Sequence, residues 1–245
     1  MPRFEQEQEQ EQESPSAEAE GAPRTADGAM VERRASYLGF VAHEIRNPLS
    51  TALWTAELLG RMDGAERAGA RGEKLAGMCL RSLQRVRHLF EDHILAERLD
   101  TGVHPVRLEA LVLVDAVVAA EGRRGSGLQP VELAVPPELA VLADRTLLGR
   151  TLDALIDAAS QGVSSVKVGA HGSGGDVTLV VQGAAADSRS LEDPLKGATS
   201  DTRGRALALP AARRAAAHMG GRLRVRDGAW ELTLSEPSHD RHDER

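Results

Sequence analysis

Two runs of apolar residues at alternating spacings of four and three constrain this chain more than any other feature. In the first, Leu38, Ala42, Ile45, Leu49, Ala52, Ala56 and Leu59 recur as a heptad seam on a helix expected over residues 31–62. In the second, Leu75, Met78 or Cys79, Leu83, Val86, Phe90 and Ile94 form a seam over 73–99. Between them Gly64, Gly69 and Gly72 predict a helix-breaking connector over 63–72. Two amphipathic helices joined by a short connector predict an antiparallel hairpin. A hairpin alone buries too little apolar surface. A homodimer that pairs two hairpins into a four-helix bundle is therefore expected over residues 31–100.

Beyond a linker marked by Gly102 and Pro105, the pattern changes. Residues 108–120 read as a helix, 131–135 and 140–142 as short strands, and 145–159 as an amphipathic helix. Residues 163–170 and 177–182 alternate apolar and polar side chains around Gly172, Gly174 and Gly175, as a hairpin does. An Ala-rich helix over 206–219 closes at Gly220 and Gly221. A last hairpin, 223–225 with 230–234, turns at Asp227-Gly228. This order predicts an α+β sandwich over 106–236, followed by a charged fray over 237–245.

Composition excludes several functions. The first 30 residues hold eight acidic and two basic side chains, so nearly all of the net charge of −7 sits there. This stretch, with Glu5, Glu7, Glu9, Glu11 and Glu13 alternating with glutamine, is expected to be a disordered acidic tail. The remainder is close to neutral and offers no basic field for nucleic acid. Aromatic residues are only 2%, so the cores must be built from Leu, Val and Ala. The single cysteine, Cys79, excludes an internal disulfide framework and fits a reducing cytoplasm. No run approaches the roughly 18 apolar residues of a membrane span, and the N-terminus is unlike a signal peptide. High Ala, Arg and Gly usage suggests a bacterial origin.

The chemistry is concentrated in Phe40-Val41-Ala42-His43-Glu44-Ile45-Arg46-Asn47-Pro48-Leu49. His43 lies one residue past a seam position, so its ring is expected to face away from the core. Asn47, one turn on, shares its face. Glu44 can orient the imidazole through one ring nitrogen and leave the other as nucleophile. Pro48 removes a backbone hydrogen bond and is expected to bend the helix there. Phe40 and Trp54 lie two heptads apart with Asn47 midway. They are either an apolar docking patch beside His43 or a packing face. Arg46 is either a contact for an acidic partner or a solvated charge. His88, His93 and His218 read as structural, and His239 and His242 carry no site signal.

The His-Glu-x-x-Asn-Pro-Leu stretch resembles the H-box of sensor histidine kinases, which carries their phosphoacceptor histidine. Residues 144–159 resemble the family's N-box helix, 197–209 its G2 segment, and 217–223 the helix end and strand that follow. The resemblance implies a dimerising hairpin followed by an ATPase-type catalytic domain. It also implies phosphoacceptor chemistry at His43 and phosphatase or transfer positioning at Asn47. The departures are as informative. The two N-box asparagines, one of which holds Mg²⁺, fall on Ala154 and Ala158, and a methyl group cannot ligate a hard cation. The adenine-binding Asp-x-Gly-x-Gly turn corresponds to Gln182-Gly183-Ala184-Ala185-Ala186-Asp187, where Asp187 is present but the glycine spacing is lost. The Gly-x-Gly-x-Gly phosphate loop corresponds to Gly204, Ala206 and Ala208, with only the first glycine kept.

These substitutions point to a phosphotransferase or pseudokinase. It would have no nucleotide cofactor of its own and would exchange a phosphoryl group at His43 with response-regulator receiver domains, whose partner Mg²⁺ neutralises the group in transfer. An upstream sensor kinase or sensor protein is a further expected partner. One alternative is an ATP- and Mg²⁺-dependent autokinase with a divergent pocket. Another is a non-enzymatic dimeric scaffold that titrates a kinase or regulator.

Overall fold

The computed structural model of the chain describes residues 26–124, 129–192 and 207–237. The acidic tail through residue 25, Gly204, Ala206 and the charged end from residue 238 lie outside the described residues. The chain divides into a unit through Ser36 and a second from Tyr37 onward. The first contributes the opening turns of helix α1 (Ala26–Arg61), where Ser36 Oγ donates to the Glu32 carbonyl at 2.9 Å.

The second unit opens with the hairpin. Pro48 lies inside α1 and is buried. The connector is not the uninterrupted loop that its glycines predict. It holds one helical turn, α2 (Gly64–Ala68). Asp63 Oδ1 accepts from the Glu66 N–H at 2.8 Å and Glu66 Oε2 accepts from the Asp63 N–H at 3.3 Å, a reciprocal cap that outweighs Gly64. Helix α3 (Ala70–Asp100) returns alongside. Across the hairpin the Cys79 thiol donates to the Ala52 carbonyl at 3.5 Å.

The inward face runs along one edge of the expected seam and shares only Ala52 with it among the buried residues of α1. Val41, Pro48, Ala52, Thr55 and Met62 are buried, whereas Leu38 and Leu49 remain 48% and 41% exposed. On α3 the expected seam residues Leu83 and Phe90 are also about half exposed, and Leu89 is buried in their place. The apolar stripe is wider than one a/d line, and packing within the hairpin takes only its edge. Buried Thr55 fits because its hydroxyl donates back to the Thr51 carbonyl at 2.8 Å. The last turns of α3 are not a spacer. Leu95 and Leu99 belong to the same apolar cluster as the α/β region.

That region runs β1 (Glu109–Val112), α4 (Leu113–Arg123), β2 (Val131–Ala134), β3 (Ala140–Ala143), α5 (Arg145–Ala159), β4 (Val166–Ser173), β5 (Asp176–Gln182), α6 (Arg189–Glu192), α7 (Ala208–His218), β6 (Arg222–Arg226) and β7 (Ala229–Ser235). The helix expected over 108–120 is in fact a strand followed by a helix. Nothing between Leu108 and Ala120 breaks the apolar run. The division is made by antiparallel pairing of β1 with β3, Leu111 opposite Val141. The larger sheet has the order β2-β4-β5-β7-β6, antiparallel except for β2 with β4. Alternation sends Val177, Leu179 and Val181 of β5, and Trp230, Leu232 and Leu234 of β7, into one core with Leu147, Leu148, Leu152, Leu155 and Ile156 of α5. The β4–β5 turn takes Gly174 and Gly175 at φ +63° and +86°, as its sequence predicts. A helical hairpin followed by this two-layer α+β sandwich is the architecture expected from the sequence.

Asp144 anchors the start of α5. Its carboxylate accepts from the Thr146 and Leu147 N–H groups at 2.9 and 3.0 Å and from the Arg107 N–H at 3.0 Å. Burial works to raise its pKa, but these backbone donors together hold it below the ordinary carboxylate value. A folded value below the unfolded one gives stability that is complete above the ordinary carboxylate range. That stability is lost as pH falls through the folded value. Asp144→Ala is expected to cost about 2 kcal/mol at neutral pH and little in acid, which urea melts at two pH values would test.

Candidate functional site

His43 projects from α1 into solvent, and Asn47 is exposed one turn further along. Helical spacing alone puts the two on one face. The Asn47 carbonyl accepts from Thr51 Oγ1 at 3.2 Å, which steadies the turn after Pro48. Arg46 is exposed. Trp54 is 55% exposed. Phe40 is half-buried against a cluster of Val41, Leu89 and Leu207, together with Tyr37 and Ile45. The three off-seam residues Phe40, Asn47 and Trp54 therefore do not form one equally open surface.

Glu44 lies where the sequence could not place it. Its carboxylate is largely buried and sits 3.7 Å from the Arg85 guanidinium of α3. The residue adjacent to His43 is thus tied across the hairpin. Arg85 gives no signal in the sequence beyond opposite charge, and its pairing depends on the register of α3 against α1.

Other contacts behind the histidine also escaped the sequence. Tyr37 and His93 stack obliquely with ring centroids 5.6 Å apart, and Tyr37 Oη lies 3.4 Å from His93 Nδ1. Burial is the main cause that raises the Tyr37 pKa, against the lowering effect of Arg214. Arg150 of α5 reaches Glu91 and Asp92 of α3 at 3.4 and 3.6 Å. Arg214 of α7 meets Asp100 at 2.8 Å. Beside the first of these pairs lies a cleft of about 420 Å³ lined by His88, Arg123, Arg145, Gly149 and Asp153. Its charges are mixed, and Arg123 closes on Asp153 with two bonds of 2.9 and 3.1 Å.

In the α/β region Ala154 is 4% exposed and Ala158 is packed against the core. Neither brings an oxygen or nitrogen donor. Helix α7 lies against α5 through small residues, with Ala208, Ala211, Ala212, Ala215 and Ala216 buried. The stretch after β5 is tied down. The Ala184 N–H donates to the Ala159 carbonyl at 2.7 Å and the Ala186 N–H to the Gly228 carbonyl at 3.0 Å. Asp187 Oδ1 accepts from the Arg189 N–H at 3.0 Å and from Arg189 Nε at 3.2 Å. Those bonds lower its pKa. Of the expected phosphate loop, only Ala208 lies within the described residues, at the start of α7.

Residues 33–102 match the His Kinase A (phospho-acceptor) domain. Among solved structures, the chain is similar to Acinetobacter baumannii histidine kinase AdeS, at 18% identity and TM-score 0.58, over 80% of this chain and 98% of that one. It is also similar to full-length ShkA in complex with AMPPNP, at 19% identity and TM-score 0.55, over 83% of this chain and 46% of that one. At these identities the likeness establishes the fold alone: a helical hairpin followed by an α/β region of the histidine kinase ATPase type. No curated protein matches the chain significantly. Among the described residues, no helix is long and apolar enough to cross a membrane.

Proposed function

We propose that this chain, whose residues 33–102 match the His Kinase A (phospho-acceptor) domain, is a histidine phosphotransferase of the sensor histidine kinase family. In this reading His43 exchanges a phosphoryl group with the aspartates of response-regulator receiver domains and does not draw it from ATP. One contrast supports the reading. His43 stands exposed with Asn47 on its face, while Ala154 and Ala158, at the positions that the N-box resemblance assigns to the family's asparagines, offer only methyl groups in place of oxygen ligands. The residues present do not fit a nucleotide-bound Mg²⁺.

The unprotonated ring nitrogen of His43 attacks the phosphorus of a receiver aspartyl phosphate. An N–P bond forms as the P–O bond breaks, and the aspartate leaves with the electron pair. The proton on the other ring nitrogen then passes to solvent. The reverse sequence delivers the group to a second receiver. Exposure of His43 leaves room for a receiver domain to approach. Glu44, steadied by Arg85, accepts the N–H of one ring nitrogen and so leaves the other nitrogen of His43 as the nucleophile. Glu44→Gln is expected to slow transfer about a hundredfold while leaving the final extent of labelling unchanged, as rapid-quench time courses would show. Asn47 orients the approaching group. Arg46 and Trp54 supply partner contacts, and Phe40 supports them from its half-buried place.

The exposed stripe of Leu38, Leu49, Leu53, Leu80, Leu83 and Phe90 is the surface that a second hairpin covers in the proposed homodimer. Leu49→Glu with Leu53→Glu is expected to give a monomer by light scattering.

The deciding experiment incubates the chain with labelled ATP and, separately, with a panel of receiver domains charged by labelled acetyl phosphate. Label from a receiver and none from ATP supports the phosphotransferase. Label from ATP alone establishes an autokinase. Label from neither leaves a scaffold.

A further inference from the structure

Strand β6 is an outer strand of the five-stranded sheet and pairs with β7 alone among the described residues. Half of its backbone N–H and C=O groups therefore point away from the sheet. Its two sides differ in chemistry. Arg222, Arg224 and Arg226 are exposed on one side, while buried Leu223 and half-buried Val225 face the core on the other. Alternate residues of a strand repeat about every 6.7 Å, so the three guanidinium groups form a row along the edge. That row is loosely held. Arg222 lies 3.9 Å from Asp176 and Arg226 lies 3.7 Å from its neighbour Asp227, both longer than a hydrogen bond. Arg224 stands opposite Glu231 in the β7 register but makes no ion pair or hydrogen bond with the described residues. Between β6 and α7 lies a recess of about 450 Å³ with Leu191, Ala217, Leu223 and Val225 among its walls. Arg213, Arg222 and Arg224 also line it, and no carboxylate does.

Each of these features selects one property of an occupant. Open backbone groups take a strand. Guanidinium groups at every second residue take carboxylates at every second residue, each an opposite-charge cross-strand neighbour. The apolar walls of the recess take the side chains in between. The β6 strand of a second copy does not fit, because it would set arginine against arginine. A nucleic acid is disfavoured too, because Asp176 and Glu231 share the arginine face and the recess has no aromatic side chain on which a base could stack. We propose that the β6 edge binds an extended segment of a partner protein in which acidic and apolar residues alternate. The segment adds to the sheet as a further strand, with its carboxylates along the arginine row and its apolar side chains over the recess beside α7.

The full chain and the blocked peptide Glu-Val-Glu-Val-Glu-Val-Glu test this, with Kd read from the fluorescence anisotropy of a labelled copy. At about ten times its Kd, the peptide should slow exchange of the outward-facing amides of 222–226 about tenfold. Lysine in place of its glutamates, or serine in place of its valines, should weaken binding about tenfold or more. In a strand, successive N–H groups point to opposite edges. N-methylation of one alternate set should therefore abolish binding, and methylation of the other set should spare it. Arg224→Glu should weaken the acidic peptide and strengthen the lysine version. His43→Ala should bind as the wild type does, which keeps the result separate from the phosphotransfer reading. Absence of binding would overturn the proposal and leave the arginines as guards of an open edge. Equal binding of both N-methylated peptides would overturn it in favour of a general anion-binding face, and equal affinity for oligothymidylate in favour of a nucleic acid. The altered peptides leave the chain unchanged, so the test holds even where Arg224→Glu disturbs the fold.

Discussion

A His43→Ala chain is expected to take no label from a charged receiver domain under conditions where the wild type is labelled. Removing an attacking nucleophile outright costs orders of magnitude in rate, here at least about a thousandfold. Because His43 is solvent-exposed on α1, its loss should leave the fold within about 0.5 kcal/mol. Helicity and thermal midpoint therefore serve as controls. The result would differ for a scaffold, which keeps its binding to regulators when His43 is removed. Retention of label in His43→Ala, at any residue, would sink the assignment of the acceptor. The Glu44→Gln variant gives the complementary reading, a slower approach to the same end point. Together they separate the atom that bonds to phosphorus from the group that prepares it.

The largest structural effect is expected at Gly183→Ala. This glycine follows β5, and its Cα comes so close to the end of α5 that an added Cβ would meet the Ala159 carbonyl and the Ala159 side chain. Its φ is not in the left-handed region, so the constraint is space and not backbone freedom. The obstacle is mostly main chain, held by the Ala184 N–H bond to the same Ala159 carbonyl at 2.7 Å, and it cannot rotate aside. Overpacking of this kind costs about 3 kcal/mol. At roughly 2–4 °C per kcal/mol for a chain of this size, the melting midpoint should fall by about 6–12 °C. Calorimetry reads it directly, and a drop under about 2 °C would show that the β5–α5 junction yields. In the phosphotransferase reading, the variant's folded fraction still accepts phosphoryl groups at His43, since no step depends on that junction.

Most of the fold was legible because its elements carry their own periodicity. The strands of the β4–β5 and β6–β7 hairpins alternate strictly, and their turns contain Gly174-Gly175 and Asp227-Gly228. Helix α5 announces itself with Asp144 as cap and an apolar face of Leu148, Leu152, Leu155 and Ile156. The misreading over 108–120 has a local cause. Strand β1 and helix α4 are contiguous apolar sequence with no Gly or Pro between them, and only β3, about 30 residues later, draws off the first part. The capping box of α2 was readable in Asp63 and Glu66 but was masked by three glycines. In the hairpin, sequence predicted one apolar stripe per helix. It could not say which edge of that stripe would turn to the other helix.

The chain's sequence by itself determined a helical hairpin, the exposed position of His43 with Asn47 one turn away, the order of the α/β elements, and the presence of alanine at 154 and 158. Each depends on residues within a turn or two of one another, where helix and strand geometry fix the neighbours. Only the tertiary structure decided that Glu44 is tied to Arg85, that Phe40 is half-covered by Leu207, that Leu95 and Leu99 of the hairpin belong to the α/β core, and that β6 is left as an open basic edge. Those outcomes depend on which distant surface meets a given side chain, and periodicity specifies a face without specifying its partner.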